Sequence, residues 1–155
     1  MIKLKRILFP TDFSTSSKCA QVYACELADH FHAELHILYV LQGMLFTIPE
    51  PGTLLTTPSV DINEERKSVE LILNRQPDAW QREELQVVRA IREGSPAVEI
   101  VRYASDNDID MIVLGTHGHT GLTHVILGSV AENVVRKAKC PVLTIRPGEH
   151  KCILP

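Results

Sequence analysis

At 155 residues the chain has room for one domain and little more, and 45% hydrophobic against 23% charged residues is a composition that can bury a core. A net charge of −3 argues against nucleic acid as the main partner, because phosphate backbones select for basic surface. No apolar run approaches the roughly 18 residues a membrane helix needs, and only Ile7–Phe9 follows the N-terminal charges before Pro10, too short for a signal-peptide core, so the cytoplasm is the expected compartment.

In chain order, Arg6-Ile-Leu-Phe9 reads as a buried strand stopped by Pro10. Residues 14–17, Ser-Thr-Ser-Ser, offer helix N-caps, and Ala20, Ala24, Leu27, Ala28 and Phe31 recur at helical spacing, so a helix is predicted from about Ser16 to Phe31. Leu35–Leu41 is the second strand. Gln42–Ser59 carries Gly43, Pro49, Pro51, Gly52 and Pro58 and should be irregular. Within it Met44, Leu45, Phe46 and Ile48 form an apolar patch that either packs on its own domain or works as a lid or partner contact. Ile62, Val69, Ile72 and Leu73 suggest a second helix that ends before Pro77. Leu85–Ile91 is a third strand. Ser95-Pro96 starts a third helix, with proline at the first helical position and Ala97, Ile100, Val101 and Ala104 on its apolar face. Met111–Leu114 is strand four, Ser129 opens a fourth helix, and Val142–Ile145 is strand five. The basic cluster Arg136-Lys137-Ala138-Lys139 fits the solvated end of that fourth helix.

This alternation implies βαβ units, a parallel sheet and helices on both faces: an α/β, doubly wound domain over residues 1–147, followed by a tail over 148–155. In such sheets ligands bind beyond the carboxyl ends of the strands, where the strand order reverses. The residues that follow the strands therefore matter most: Pro10-Thr11-Asp12, Val40-Leu41, and Gly115 onward. Of the cysteines, Cys19, Cys25 and Cys140 read as small buried hydrophobes, and Cys152 falls in the tail. Their scatter suggests neither a disulfide framework nor a zinc site.

Strand four runs straight into Gly115-Thr-His-Gly118-His-Thr-Gly121, and Gly128 precedes Ser129 at the start of the fourth helix. Glycine permits positive φ and close approach of backbone amides to a ligand, and a helix N-terminus attracts phosphate. The loop is neither a Walker A motif nor a dinucleotide fingerprint.

Here the sequence resembles the universal stress protein family. The spacing Gly115-x2-Gly118-x9-Gly128-Ser129 matches the ATP-binding pattern of that family. Ile7-Leu-Phe-Pro-Thr-Asp12, Asp110–Gly115, Gly128–Val135 and Cys140-Pro-Val-Leu143 extend the resemblance over nearly the whole chain. The resemblance implies a five-stranded parallel sheet of order 3-2-1-4-5. It also implies an adenine nucleotide (ATP, or ADP or AMP) whose phosphates carry Mg²⁺. Asp12 would bond the ribose or the base edge, with Pro10 and Thr11 on that side, and Val40 would offer backbone groups to adenine. Leu114, Gly115, Thr116, His117, Gly118, Gly128, Ser129 and Val130 would surround the ribose and phosphates. The family also commonly forms homodimers through strand five, and Val142–Ile145, apolar and without internal charge, suits an edge pairing.

Each assignment has a plainer rival. Asp12 caps the first helix in one reading, and Ser129 with Glu132 spells a capping box that needs no ligand. Gly115 and Gly118 could serve the turn alone, and Val40 packs as a core residue in any case. His117 and His119 have metal-ligand spacing but no accompanying carboxylate or cysteine. The family more often carries Arg or Lys where this chain has His119 and His124, so phosphate affinity should rise as the pH falls toward ~6. The loop offers no lysine, arginine finger or base for hydrolysis, so slow turnover at most is expected of a nucleotide-dependent sensor or switch in stress response. The alternatives are an adenylyl-transfer enzyme and an interaction module with no nucleotide.

Overall fold

The structure, a computed structural model, describes residues 3–42, 62–77, 85–116 and 128–146. Ile7, Leu8 and Phe9 are at most 1% exposed, which requires cover on both faces of the strand that carries them. That strand, β1 (Arg6–Thr11), lies at the middle of a five-stranded sheet with β2 (Glu34–Leu41), β3 (Val87–Glu93), β4 (Met111–Gly115) and β5 (Val142–Ile145). The order is β3-β2-β1-β4-β5 and every pairing is parallel. The expected α/β doubly wound architecture and the 3-2-1-4-5 order are both present.

The helices are α1 (Thr15–Phe31), α2 (Ile62–Leu73), α3 (Pro96–Asp106) and α4 (Ser129–Lys137). Alternation along each strand sends neighbouring side chains to opposite faces. Ile7, Phe9, Leu35, Ile37 and Val113 pack with Ala20, Ala24, Cys25 and Ala28 of α1 in one core. Leu8, Leu38, Ile112 and Leu114 pack with Ile100, Tyr103 and Ala104 of α3 and with Ala131 and Val134 of α4 in the other. The alanines of α1, fully buried, let that helix lie close to the sheet.

Some details differ from the sequence expectation. Strand β1 continues through Pro10 to Thr11, paired with β2 all the way. Proline is tolerated there because the ladder to β4 covers only Ile7 and Leu8, so no β4 partner awaits an N–H from Pro10. Strand β3 lies two residues later than Leu85–Ile91, because pairing with β2 runs on to Leu41 opposite Glu93. Edge strands tolerate charged residues such as Arg92 and Glu93, which a hydrophobic pattern reads as the end of the strand. On α3 the buried face carries Tyr103 and Glu99 beside Ile100 and Ala104, while Val101 is half-exposed. The Tyr103 hydroxyl lies 2.9 Å from Nδ1 of buried His36, whose Nε2 lies 3.1 Å from Glu34, so both ring nitrogens of the buried histidine have partners. Phe31, expected on the apolar face of α1, is 36% exposed.

Among the described residues no helix is long and apolar enough to cross a membrane. The 42–59 connection beyond Gln42, Cys152 and the tail over 148–155 lie outside the described residues.

Burial, with a smaller contribution from Glu26, pushes the Cys25 thiol up to about 12 from its ordinary value of 9.0. The folded state therefore keeps a proton that the unfolded chain releases above pH ~9. Stability should be flat with respect to this group below pH ~9 and should fall between ~9 and ~12, by up to about 1.4 kcal/mol per pH unit. Burial also raises Tyr39 and Tyr103, which steepens the decline at the alkaline end. Urea midpoints across this range test the slope. Iodoacetamide at pH 8.5 should leave Cys25 unlabelled in the native protein and label it in denaturant.

Candidate functional site

Beyond Leu8 and Ile112 the central strands β1 and β4 are no longer bonded, while β1 stays paired to β2 as far as Thr11. The sheet order reverses at this seam, and a cavity of about 540 Å³ opens there, within the ordinary range for small-ligand sites. Its apolar lining comes from Pro10, Leu38, Val40, Ile100, Leu114 and Ala131. Thr11, Asp12, Gln42, Ser95, Thr116, Ser129 and Asn133 supply polar groups. Ten of the residues singled out in the sequence line this one cavity: Pro10, Thr11, Asp12, Val40, Leu114, Gly115, Thr116, Gly128, Ser129 and Val130. His117 and Gly118 lie outside the described residues, as do Gly121, His119 and His124.

The β1–α1 turn holds Asp12 through a chain of short bonds. The hydroxyls of Thr11 and Ser17 lie 2.7 Å apart, and the Thr11 hydroxyl accepts from the Phe13 N–H at 3.0 Å. The Asp12 carboxylate accepts from the Ser14 N–H at 3.0 Å, and the Ser14 hydroxyl in turn accepts from the Ser17 N–H at 3.2 Å. Ser14 is therefore the N-cap of α1, and the reading of Asp12 as that cap is corrected: its carboxylate fixes the turn one step earlier. Phe13 sits at φ 61°, a left-handed conformation uncommon for a bulky residue, with its ring stacked on Tyr39 at 4.9 Å.

Gly115 is a glycine for want of space. A Cβ there would meet the Ser16 hydroxyl at 2.6 Å and the Ser16 backbone at 3.0 Å. Neither Gly115 nor Gly128 is in the left-handed region, so the conformational freedom expected of them is not what they provide. Thr116 then closes the base of the loop: its N–H donates to Ile145 at 2.9 Å, and its carbonyl accepts from the Gly128 N–H at 2.6 Å.

From that closure α4 begins with Gly128 as N-cap, and no side chain caps it. The capping-box reading of Ser129 and Glu132 is thereby corrected, since Ser129 is the first helical residue and Glu132 pairs with Arg136 at 2.7 Å. The first helical hydrogen bond is Glu132 N–H to Gly128, so the N–H groups of Ser129, Val130 and Ala131 precede it. Among the described residues no acceptor meets these three donors. Asp12 is the one charged side chain among the described residues that line the cavity, and the described residues contain no cluster of three His, Cys, Asp or Glu fit for a metal.

Sequence reasoning missed Gln42, Ser95, Pro96, Ala97 and Asn133, which also line the cavity. Gln42 directly follows a strand and was open to the same position rule. The start of α3 reaches the cavity because α3 packs beside α4, a tertiary fact. Asn133 lies one turn beyond Ser129, and its side-chain amide donates to the Ser129 carbonyl at 2.8 Å.

Residues 3–146 match the model of the universal stress protein family. The chain belongs to the universal stress protein family. It is 35% identical over 143 residues to universal stress protein MJ0531 of Methanocaldococcus jannaschii, covering 92% of this chain and 82% of that one. Universal stress protein MJ0577 of the same organism is 29% identical over 160 residues, covering 94% and 96%. Among solved structures, universal stress protein UspA from Lactobacillus plantarum superposes with a TM-score of 0.74 at 27% identity, covering 94% and 100%. A universal stress protein solved with cAMP (TM-score 0.68, 21% identity, 95% and 100% covered) shares this fold. So does one from Archaeoglobus fulgidus solved with dAMP (TM-score 0.59, 23% identity, 94% and 99% covered).

The tight approach at Gly115 is open to direct test. Gly115→Ala should lower the unfolding free energy by roughly 1–3 kcal/mol in chemical denaturation, the usual cost of overpacking. Adding Ser16→Ala should recover only part of the loss, since the backbone of Ser16 would still meet the new Cβ.

Proposed function

We propose that this universal stress protein binds an adenine nucleotide (ATP, ADP or AMP) in the cavity at the β1/β4 seam and acts as a nucleotide-dependent switch in stress response in the cytoplasm. The observation that carries this reading is the uncapped start of α4, whose three N–H donors belong to residues lining a cavity with an apolar floor and a carboxylate, Asp12, at another of its elements. The donors suit phosphate oxygens, the apolar surfaces of Leu38, Val40 and Ile100 suit a base, and Asp12 suits ribose hydroxyls. Thr11 and Pro10 flank the sugar, the Val40 backbone meets adenine, and Leu114, Gly115, Thr116, Gly128, Ser129 and Val130 flank the ribose and phosphates. His117 and Gly118 complete this set in the sequence pattern.

Mg²⁺ fits this site only as part of the nucleotide. With a single lining carboxylate the described residues provide no cage, so the ion would be held by phosphate oxygens and water. Bound there, it would neutralise phosphate charge. Hydrolysis would need a positioned water and stabilised transition-state charge, which Asp12 at the sugar does not supply, so turnover is slow at most.

The reading also includes a homodimer through β5, an edge strand of the sheet with no charged side chain. Sedimentation at micromolar concentration should give a dimer, and a monomer would remove this part of the proposal.

Calorimetric titration with Mg-ATP tests the function. A dissociation constant in the micromolar range, about −8 kcal/mol, is expected. Ala97→Trp, which fills the cavity from the start of α3, should weaken binding at least tenfold without lowering the melting temperature. Asp12→Asn keeps an acceptor for the Ser14 N–H but replaces charged hydrogen bonds by neutral ones, at a cost of about 1 kcal/mol or roughly fivefold in affinity. A wild-type protein that takes up no adenine nucleotide would favour an interaction module instead.

A further inference from the structure

We infer that Phe13 is the positioning residue for Asp12: its ring, stacked on Tyr39, holds the turn that keeps the Asp12 carboxylate in place at the cavity wall. The effect on ligand affinity rests on the nucleotide reading above, whereas the hold on the turn can be measured without a ligand.

Two neighbouring residues of this turn have separate tasks. Asp12 lines the cavity just beyond the end of β1. Ser14 caps α1 from an extended backbone, φ −67° and ψ 163°. Between them Phe13 reverses the chain at φ 61°. With that reversal the Asp12 carboxylate accepts from the Ser14 N–H at 3.0 Å, and the Phe13 N–H turns back to the Thr11 hydroxyl at 3.0 Å.

Glycine takes a left-handed backbone freely, and a bulky L residue does so only when its surroundings impose it. The chain has phenylalanine at this position, so the side chain supplies the restraint that the backbone lacks. The ring lies on that of Tyr39 with centroids 4.9 Å and planes 18° apart, and it packs against the core that α1 covers. Tyr39 is the β2 residue in register with Thr11, the last residue of β1. The stack therefore ties the turn to the neighbouring strand at the point where β1 ends. Asp12 is felt at the second ring of the pair: burial raises the Tyr39 hydroxyl, and the charges of Glu65 and then Asp12 raise it further. Phe13 is absent from the residues lining the cavity, so its influence on a ligand passes through Asp12.

Hydrogen exchange of the Ser14 amide in the full chain without ligand reads the hold on the turn. Phe13→Ala, which loses the ring and keeps the unfavourable backbone, should speed that exchange at least about tenfold, while Phe13→Tyr and Tyr39→Phe, which keep the stack, stay within about twofold. Tyr39→Leu removes the stack from the other side and should act as Phe13→Ala does, which serves if the latter fails to fold. Unchanged protection of Ser14 overturns the inference. So does a speed-up matched at the Ile37 amide in the sheet, which would be general loosening.

The second measurement is titration with adenosine and with 2′,3′-dideoxyadenosine, which lacks the hydroxyls assigned to Asp12. Phe13→Ala should weaken adenosine roughly fivefold, the loss expected of Asp12→Asn, and leave the dideoxy compound within about twofold. In an Asp12→Asn background the same change should cost less than about twofold, because the two residues act as one unit. Equal losses for both compounds, or losses that multiply in the double variant, overturn the inference while leaving the nucleotide site intact. A wild-type protein that takes up neither compound removes the nucleotide reading instead, and the exchange of Ser14 still decides whether Phe13 holds Asp12.

Discussion

The contact between Gly115 and Ser16 fixes the geometry on which the site depends. The end of β4 is pressed against the first turn of α1 so closely that no side chain fits between them. That contact sets where the backbone leaves the sheet. One residue later Thr116 is anchored to β5 through its N–H and to Gly128 through its carbonyl, so the start of α4 is positioned from β4 by two consecutive residues. The same first turn of α1 carries Ser17, bonded to Thr11 at the end of β1. Both walls of the seam are therefore referred to one helix terminus. A displacement of α1 would move the carboxylate and the amide donors together, which keeps their spacing constant for a ligand that touches both.

Much of this was legible in the sequence, for reasons that differ from element to element. The central strands were easy because residues buried on both faces form unbroken apolar runs, as in Ile7–Phe9 and Met111–Leu114. The site was legible through the position rule for parallel sheets together with the glycine pattern, which needs no knowledge of packing. The failures mark where tertiary contacts decide. Pro10 reads as a stop until the early end of the β1–β4 ladder is known. Arg92 and Glu93 read as loop until β2 supplies partners for them. Glu99 and Tyr103 look like surface residues, yet both are buried, Glu99 bonded to Arg102 at 2.7 Å and Tyr103 to His36. At Gly115 the expected positive φ is absent: the sequence marks a glycine but does not tell a need for conformational freedom from a want of room.

The capping of α4 shows how a local motif can mislead and still inform. Ser-x-x-Glu is the pattern of a self-satisfied helix start, yet the helix begins one residue too early for it to close, with glycine in the capping position. A helix of 9 residues depends mainly on packing, here through Ala131 and Val134, because isolated helices of that length are marginal. Leaving its first donors without a side-chain partner costs stability that serine, aspartate or asparagine at the cap would restore, about a few tenths of a kcal/mol where the capping residue is glycine. Ser14 caps α1 through its side chain, whereas α4 has glycine in the capping position.

That asymmetry is what couples ligand to fold in the proposed reading. An anion seated on α4 supplies the missing cap, so the helix start is more stable with ligand than without. A ligand at a hundred times its dissociation constant stabilises the bound form by about 2.7 kcal/mol, more than the cap alone. Part of that energy would appear locally, at the junction of Thr116, Gly128 and Ile145, where β4, β5 and α4 meet. Because Ile145 belongs to the edge strand, occupation of the cavity and the order of that edge would in this reading be linked through two backbone hydrogen bonds. A switch of this kind needs no large movement. It needs one short helix whose first turn is completed by the molecule it binds.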